Sequence, residues 1–139
     1  MSISQVQITL SAKPRGFHLV SDEILSQLPI LAKAKVGMLT LFIKHSSASL
    51  SINENADPTV RSDMENFFTE LCDDKAYYQH TYEGEDDMPA HIKSSIIGSS
   101  LDIPVTEGAL NLGVWQGIYL NEHRNQATPR QIVATLIYE

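Results

Sequence analysis

The carboxyl-terminal part of this chain alternates polar and apolar residues with a period of two, and this pattern restricts the fold more than any other feature. Three segments carry it, SLDIPV, ALNLGVWQGIYLNEH and RQIVATLIYE, with the turn sequences TEG and NQATP between them. Successive side chains of a strand point to opposite faces, so each segment predicts a strand with one buried face. Nearer the amino terminus, VQITL and MLTLFIKH predict two more strands, and Leu39, Leu41 and Ile43 share one face of the second.

The clearest helix in the sequence is ADPTVRSDMENFFTELC. Asp57 is the predicted N-cap, and Pro58 occupies the first helical position, where a missing N–H is tolerated. The apolar residues of this segment fall on one stripe, which predicts a face packed against the sheet. They are Val60, Met64, Phe67, Phe68 and Leu71.

Two further segments predict shorter helices. SDEILSQLPILAKA should have Ser21 or Asp22 as its N-cap and should be kinked or divided at Pro29. PAHIKSSIIG should begin at Pro89 and end at Gly98, a residue type that commonly follows the end of a helix. The expected content is therefore about six or more strands and about three helices.

These elements predict an α+β fold. We expect a single compact domain over residues 1–139, with a largely antiparallel β-sheet or sandwich and helices packed against it. A chain of 139 residues can bury about two-thirds of the surface that it exposes when unfolded, so it should fold alone. A strand-rich chain also has exposed sheet edges, and association of subunits is one way to cover them.

Composition argues against several classes of partner. The net charge is −7 and the ten Lys and Arg residues are scattered, so no nucleic-acid partner is expected. No segment approaches the run of about 20 apolar residues that a membrane helix needs, and the amino terminus lacks the apolar run of a signal peptide. We therefore expect a cytoplasmic protein without a membrane partner. Cys72 is the only cysteine, so no internal disulfide can form, and a packing role on its helix is expected.

Four of the five histidines are candidate functional residues. His45 and His123 each end a predicted strand. His91 lies in the first turn of a predicted helix, and His80 precedes the acidic turn EGEDD. Such positions are favourable because sites assemble at the ends of secondary-structure elements. His18 lies within the apolar GFHLV without acidic neighbours, and we expect it to be structural.

The segment HTYEGEDDMPAHIKSS indicates a possible metal site. Neutral imidazole is the form that binds metals, and the positive end of a helix dipole keeps a first-turn histidine neutral. Asp86 and Asp87 could be ligands, or could accept the second ring N–H of a ligating histidine. The competing interpretation is a solvated turn in which Asp86 or Asp87 caps the helix. The histidine spacing matches no standard zinc motif, so both interpretations stay open at this point.

Other chemistries have less support in the sequence. HSSASLS places hydroxyl groups beside His45 and could form a Ser–His pair or a cradle for an anion. The sequence contains no GXSXG nucleophile elbow, Walker loop or dinucleotide fingerprint. Cys72 has no histidine near it in the predicted helix, so a cysteine nucleophile is not expected.

The chain contains three long and unusual blocks, HSSASLSINENADPTVRSDM, HTYEGEDDMPAHIKSSIIGSSLDIPV and LNLGVWQGIYLNEHR. Together they resemble the YjbQ family, small proteins described as secondary thiamine-phosphate synthases, and the resemblance runs in the same order over essentially the whole chain. The family usually has threonine where this chain has Ser46 and Val114. The resemblance implies a compact α+β homotrimer. It also implies a site drawn from the matching residues, which are His45, Asn53, Glu54, His80, Glu83, Gly84, Asp86, Asp87, His91, Trp115, Gln116, Gly117, Glu122, His123 and Arg124.

The reaction implied by the resemblance condenses an aminomethylpyrimidine diphosphate with a thiazole phosphate and releases pyrophosphate. The dedicated enzyme resembles (β/α)₈ barrels, which need about 250 residues, so this chain would have to use another scaffold. An acidic site would repel a diphosphate unless a divalent cation lay between them. Magnesium would suit the carboxylates, and zinc would suit the histidines.

The sequence hypothesis gives each candidate residue a role. The metal ligands are His80, His91 and His123. His45 handles protons together with Asp87 or Glu83, and Arg124 offers a bidentate contact to the phosphate of a small substrate. Exchanging His45 with one of the ligands is equally consistent with the sequence. Two other functions fit the same residues, namely a metal-dependent hydrolase and a non-catalytic homotrimer that binds a metal or a ligand.

Overall fold

The eight strands of the computed structural model, which describes residues 1–139, form two antiparallel sheets. The strands are β1 (Ser2–Leu10), β2 (Gly16–Leu19), β3 (Val36–Ile43), β4 (Ala48–Glu54), β5 (Ser100–Thr106), β6 (Ala109–Leu110), β7 (Gln116–Glu122) and β8 (Arg130–Tyr138). The helices are α1 (Ser21–Leu25), α2 (Pro58–Cys72) and α3 (Asp87–Ile97). The predicted α+β class with largely antiparallel pairing is confirmed. None of the helices has the length and apolar character needed to cross a membrane.

The two sheets pack face to face around the main core. The larger sheet has the strand order β1-β8-β3-β5-β6, and the smaller one has the order β2-β7-β4. Alternation along the strands places Leu41 and Ile132 of the larger sheet against Leu50, Ile118 and Leu120 of the smaller sheet, all fully buried. Burial of these side chains is the main stabilising contribution between the sheets.

Helices α2 and α3 cover the other face of the smaller sheet. Phe17 and Tyr119 of the sheet pack with Phe68 and Cys72 of α2 in a second core cluster. Cys72 is buried and unpaired, as expected of a packing residue. The smaller sheet is therefore covered on both sides, and polar side chains on its helix-facing side become buried.

Helix α2 is predicted well at its start and less well along its face. The Asp57 side chain accepts a hydrogen bond from the N–H of Thr59 at 2.9 Å, which confirms the N-cap. Phe68 is buried, but Phe67 and Leu71 are 59% and 48% exposed. The predicted apolar stripe is therefore wider than the face that contacts the sheet.

Pro29 divides the predicted first helix, as expected. Helix α1 is short, and a separate 3₁₀ turn spans Pro29–Lys33. The predicted N-cap at Ser21 or Asp22 is wrong, because neither side chain caps the helix. Ser21 Oγ instead accepts a hydrogen bond from the N–H of Ile118 at 2.9 Å and ties α1 to β7.

The sequence patterns missed two strands and one break. Strand β2 has only four residues, and β4 begins inside the serine-rich HSSASLS. The segment ALNLGVWQGIYLNEH forms β6 and β7 with a loop at 111–115 between them. Strand β4 pairs with β7 along its whole length, from Ala48 opposite Glu122 to Glu54 opposite Gln116. This β4–β7 ladder joins the edge strand β4 to the central strand β7 and positions a different polar cluster at each end.

The outward face of the larger sheet carries exposed apolar side chains. Ile137 of β8 lies between Ile3 of β1 and Met38 of β3 in the strand register. These three residues and Phe42 are all partly or largely exposed. An apolar row across three strands is an unusual surface for an isolated chain.

Candidate metal centre

Helix α3 begins two residues earlier than its sequence predicts. Its first residue is Asp87 rather than Pro89, and Gly98 follows its end as expected. His91 therefore lies four residues after Asp87, on the same face and in the second turn. The expected first-turn position of His91 is wrong, and the early start of α3 is what brings the two side chains together.

Three side chains, His80, Asp87 and His91, meet at the start of α3. One ligand atom from each lies within 4.8 Å of the other two. His80 Nε2 is 2.8 Å from Asp87 Oδ2, and His91 Nε2 is 3.3 Å from the same oxygen. The Asp87 side chain is 3% exposed, whereas that of His80 is 52% exposed. The cluster therefore has a buried carboxylate at its base and an open side toward solvent.

His91 is held in the tautomer that suits a cation. Its Nδ1 lies 2.8 Å from the backbone carbonyl oxygen of Ser46, which can only accept, so Nδ1 carries a proton. In the neutral ring, Nε2 then points a lone pair at Asp87 Oδ2. Two acceptors that face each other repel unless a proton or a cation lies between them. Two imidazoles and one carboxylate are also the donor set of metal sites with open positions, so these residues fit a divalent metal.

Arg124 is engaged with the acidic turn and not free for a substrate. Its Nε donates to Asp86 Oδ2 at 2.8 Å, its Nη1 to Asp87 Oδ1 at 2.9 Å and its Nη2 to the carbonyl oxygen of Glu83 at 2.9 Å. Each guanidinium nitrogen has a partner in the chain, so the geometry favours a positioning role over the predicted contact with phosphate. The Glu83 carboxylate itself is exposed and has no hydrogen-bond partner.

Asp86 does not cap α3 with its side chain. The carboxylate accepts hydrogen bonds from Arg124 Nε and from the backbone N–H of Asn125, each at 2.8 Å. Burial alone would raise the pKa of Asp86, but these hydrogen bonds hold it below its ordinary value. Asp86 therefore occupies the predicted N-cap position of α3, but its side chain makes no cap hydrogen bond, because the carboxylate connects the acidic turn to the segment after β7.

His45 lies outside the cluster. Its Nε2 accepts a hydrogen bond from the backbone N–H of Gln131 at 2.8 Å, so in the neutral ring Nδ1 carries the proton. Burial, reinforced by the positive charge of Arg130, lowers the pKa of His45. A neutral ring with an occupied Nε2 is a hydrogen-bond donor through Nδ1. This arrangement does not suit the predicted role of His45 as a base. It also leaves Nε2 unavailable for a bond to a metal.

His123 is not brought together with His80 and His91. It is buried on the helix-facing side of the smaller sheet, edge-on to Phe17. Its Nε2 is 2.9 Å from Ser49 Oγ, so a serine of HSSASLS does form a Ser–His pair, but with the distant His123 and not with His45. Both members are fully buried, which keeps Ser49 from acting on a substrate as a nucleophile.

The comparison with family models decides the family. Residues 6–139 match the model described as UPF0047 protein YjbQ-like. The chain belongs to the YjbQ family. A curated relative, UPF0047 protein YjbQ of Salmonella typhimurium, is 58% identical over 132 residues, covering 95% of this chain and 96% of the relative. The resemblance of the three sequence blocks is therefore confirmed.

Solved structures of YjbQ-like proteins share the fold. A YjbQ/UPF0047 family protein from Clostridium acetobutylicum is 31% identical with a TM-score of 0.83, covering 95% of this chain and 99% of that one. A YbjQ-like protein from Sulfolobus solfataricus has a TM-score of 0.84 over 99% of both chains at 24% identity, which shows the fold alone. The two-sheet architecture is therefore a property of the YjbQ family.

A buried ion pair joins the two sheets of this YjbQ-family chain next to the cluster. Arg130 of β8 donates from Nε to Glu122 Oε1 at 2.7 Å and from Nη2 to Glu122 Oε2 at 2.5 Å. Glu122 Oε2 also accepts the backbone N–H of Arg124 at 3.1 Å. Sequence reasoning missed Arg130, because its partner lies on the other sheet and no local pattern links them.

The YjbQ-family chain also has a pocket at the far end of the β4–β7 ladder. Its volume is about 430 Å³, and its lining residues are Ile52, Asn53, Glu54, Trp115 and Gln116. All but Ile52 were among the residues implied by the resemblance, although no chemistry was assigned to them.

Burial of His123 makes the stability of the chain depend on pH. Burial, together with the positive charges of Lys93, Arg15 and Arg130, lowers the pKa of His123 to about 3 from 6.5. Below pH 6.5 the unfolded chain binds a proton that the folded chain excludes, so stability is lost as pH falls toward 3 and is fully present above 6.5. Between pH 7 and pH 5 we expect a loss of about 2 kcal/mol from this group. The free energy of unfolding in urea is measured at pH 5 and at pH 7 for the unchanged protein, His123→Gln and His18→Gln. His123→Gln should lose less stability between the two pH values, whereas His18→Gln should lose as much as the unchanged protein does. An equal loss in all three proteins would contradict the prediction.

Proposed function

We propose that this chain is a divalent-metal-assisted enzyme acting on a phosphorylated small molecule, with a thiamine-phosphate synthase-type reaction as the first candidate. The observation that carries the proposal is the cluster of His80, Asp87 and His91. In the reaction, the pyrimidine methylene carbon loses its diphosphate group and forms a bond to the thiazole nitrogen, so pyrophosphate leaves. A bound Mg²⁺ or Zn²⁺ would supply positive charge against the leaving diphosphate.

The charges around the cluster support a requirement for a cation. The chain carries a net charge of −7, and the turn at 83–87 contains four carboxylates. The nearby guanidinium groups of Arg124 and Arg130 are already paired with carboxylates in the chain. A phosphorylated substrate therefore finds no unpaired arginine there, and a divalent cation is the remaining way to offset repulsion.

The other site residues prepare the cluster or contact the substrate. Ser46 fixes the ring of His91, and Arg124 fixes the carboxylate of Asp87. His45, the residue before Ser46, can donate a hydrogen bond from Nδ1 to a phosphate oxygen. Glu83 is the carboxylate left free for proton transfer in this scheme. Positioning contacts of this kind are worth about 10–100-fold in metal affinity or activity.

Pyrophosphate release tests the proposal. Metal-loaded protein supplied with both thiamine precursors should release pyrophosphate, and His91→Ala should reduce the rate by at least about 100-fold, because a ligand matters more than the groups that position it. His18→Gln is the matched control, since His18 lies outside the cluster and contacts the carbonyl oxygen of Pro14. No product above a control with metal alone would contradict the proposed function.

A second candidate is a metal-dependent hydrolase. It is favoured by the open side of the cluster, because three protein ligands with a free position are typical of hydrolytic zinc sites. Hydrolysis of a simple phosphate ester or carboxylic ester by the metal-loaded protein, with no thiamine precursor present, would support this function. Stoichiometric metal that survives dialysis without turnover of any substrate would instead indicate a binding protein.

The same proposal includes a homotrimer in the cytoplasm. The exposed apolar row of Ile3, Met38 and Ile137 supports association of subunits, because such a row gains from being covered. The number of three subunits rests on the family resemblance. The cytoplasmic location is supported by the single unpaired Cys72, since thiols stay reduced in that compartment.

A further inference from the structure

We propose that the buried pair of Glu122 and Arg130 positions the metal cluster, although neither side chain belongs to it. Glu122 holds the residue that fixes Asp87, and Arg130 holds the segment that fixes His91. The pair thereby sets the distance between the carboxylate and the imidazole that face the metal. The proposal rests on the metal-binding part of the proposed function and does not depend on which reaction follows.

The pair lies where the two sheets meet. Glu122 is the last residue of β7 and Arg130 is the first residue of β8, and they are 0% and 5% exposed. Arg130 Nε and Nη2 donate to the two oxygens of the Glu122 carboxylate at 2.7 and 2.5 Å. Two parallel hydrogen bonds fix the orientation of both planar groups, so the pair is a rigid support for the other groups that it contacts.

The first connection to the cluster runs through Arg124. Glu122 Oε2 accepts the backbone N–H of Arg124 at 3.1 Å, which fixes the point where the Arg124 side chain begins. The guanidinium group of Arg124 then donates from Nη1 to Asp87 Oδ1 at 2.9 Å. This contact leaves the other oxygen, Oδ2, directed at His80 and His91. A displacement of Glu122 therefore passes through one side chain to the carboxylate at the base of the cluster.

The second connection runs through the segment before β4. Arg130 Nη2 donates to the backbone carbonyl oxygen of Ser47 at 3.3 Å. The neighbouring carbonyl oxygen of Ser46 lies 2.8 Å from Nδ1 of His91 and sets its tautomer. Arg130 thus holds the peptide group that follows the one orienting the His91 ring.

Stability alone is a weak reason for such a pair. Two apolar side chains of similar volume often stabilise a protein as much as a buried ion pair does, because the charges must lose their water. Apolar side chains cannot replace the hydrogen bonds to the N–H of Arg124 and to the carbonyl oxygen of Ser47. Both of these bonds lead to groups that fix the cluster. The geometry therefore favours a positioning role in addition to the structural one.

The double variant Glu122→Leu with Arg130→Met separates the two roles. It removes both charges together, so the protein should stay folded. It also removes both connections, so Zn²⁺ should bind about tenfold more weakly in a calorimetric titration, at the lower end of the range for groups that position ligands. The lower end applies because the N–H of Gln131 still donates to His45 and keeps the segment before β4 near β8. Unchanged Zn²⁺ affinity in the folded double variant would overturn the proposal.

Val105→Ala is the matched control for a general weakening of the fold. Val105 is fully buried in the main core and lies opposite Gly37, at the start of β3. Arg130 lies past the opposite end of β3, where Ile43 pairs with Ile132 of β8. The substitution leaves a cavity and lowers the free energy of unfolding without touching either connection, so Zn²⁺ affinity should stay unchanged. An equal loss of affinity in Val105→Ala and in the double variant would overturn the positioning role.

The tautomer of His91 gives a readout that involves no metal. In the unchanged, metal-free protein, the nitrogen chemical shifts of the neutral His91 ring should place the proton on Nδ1 alone. In the double variant the segment that carries the Ser46 carbonyl is released, and a mixture with the Nε2–H form is expected. If the double variant does not fold, Arg130→Lys replaces it, because lysine keeps the charge but lacks the planar fork. A pure Nδ1–H form in the folded variant would overturn the role of Arg130.

The outcome is separable from that of the proposed function. Weaker Zn²⁺ binding and a mixed His91 tautomer in the double variant would support the positioning role even if the protein never releases pyrophosphate. Pyrophosphate release together with unchanged Zn²⁺ affinity in the double variant would support the reaction and overturn the positioning role. If the unchanged protein bound no Zn²⁺, the positioning role would be overturned as well.

Discussion

Replacing Asp87 with asparagine should abolish tight binding of a divalent metal. The Asp87 carboxylate lies at the base of the cluster, 2.8 Å from His80 Nε2 and 3.3 Å from His91 Nε2. Asparagine keeps the shape but removes the negative charge and the second acceptor oxygen. Changes to groups that only position a ligand cost about 10–100-fold in metal affinity, so Asp87→Asn should cost at least about 100-fold. Calorimetric titration with Zn²⁺ measures the effect.

Glu83→Gln is the matched control for Asp87→Asn, because the chain uses the carbonyl oxygen of Glu83 and not its exposed carboxylate. That variant should bind Zn²⁺ nearly as the unchanged protein does. Asp87 is buried and paired with Arg124, so the thermal unfolding midpoint of each variant should be recorded alongside. If Asp87→Asn unfolds, His80→Ala is the substitute, because that side chain is half exposed. Wild-type affinity in a folded Asp87→Asn protein would eliminate the cluster as a metal site.

Of the single substitutions described, Glu122→Ala should lower the free energy of unfolding the most. Glu122 and Arg130 form a buried bidentate pair between the two sheets, and the substitution leaves the guanidinium buried without its partner. Removing one member of a buried pair costs about 3–5 kcal/mol. Domains of this kind have free energies of unfolding of about 5–15 kcal/mol, so the change is a large fraction of the total. Urea unfolding at pH 7 measures it.

The double variant Glu122→Leu with Arg130→Met is the control for this prediction. Apolar side chains of similar volume remove both charges together, so most of the lost stability should return. Glu139→Gln, which alters a highly exposed pair with the amino terminus, should leave the unfolding midpoint unchanged. If Glu122→Ala lost no more stability than Glu139→Gln, the Glu122–Arg130 pair would contribute little to the free energy of unfolding.

Local signals explain what could be predicted of the fold. Asp57 and Pro58 define the start of α2 within two neighbouring positions, and Pro29 interrupts its own segment, so both features are readable from the sequence. Strand β4 does alternate, with Ala48, Leu50 and Ile52 on one face, but the alternation is short and its polar positions are serines, which are also common in loops. The contacts of Ser49 and Ser51 with Asn121 could not be foreseen, because Asn121 lies on the distant strand β7.

The candidate site shows the same division between local and distant causes. His80, Asp87 and His91 lie within twelve positions of one another, and one turn of helix brings two of them together. His123 directly follows β7, a position at a strand end where ligands are often found. It is buried because helices pack over the smaller sheet, which the sequence does not show. The hydrogen bond from Arg124 to Asp86 could not be foreseen either, because it depends on how the acidic turn folds back onto the end of β7.

The β4–β7 ladder fixes the distance between the two polar ends of the smaller sheet. Six steps separate Ala48 from Glu54 on β4, and at 3.3 Å per residue the ends are about 20 Å apart. A small molecule held by His80, Asp87 and His91 therefore does not reach the pocket at the other end of the same chain. Because side chains this far apart share no partners, substitutions at the two ends should have additive effects on the free energy of unfolding.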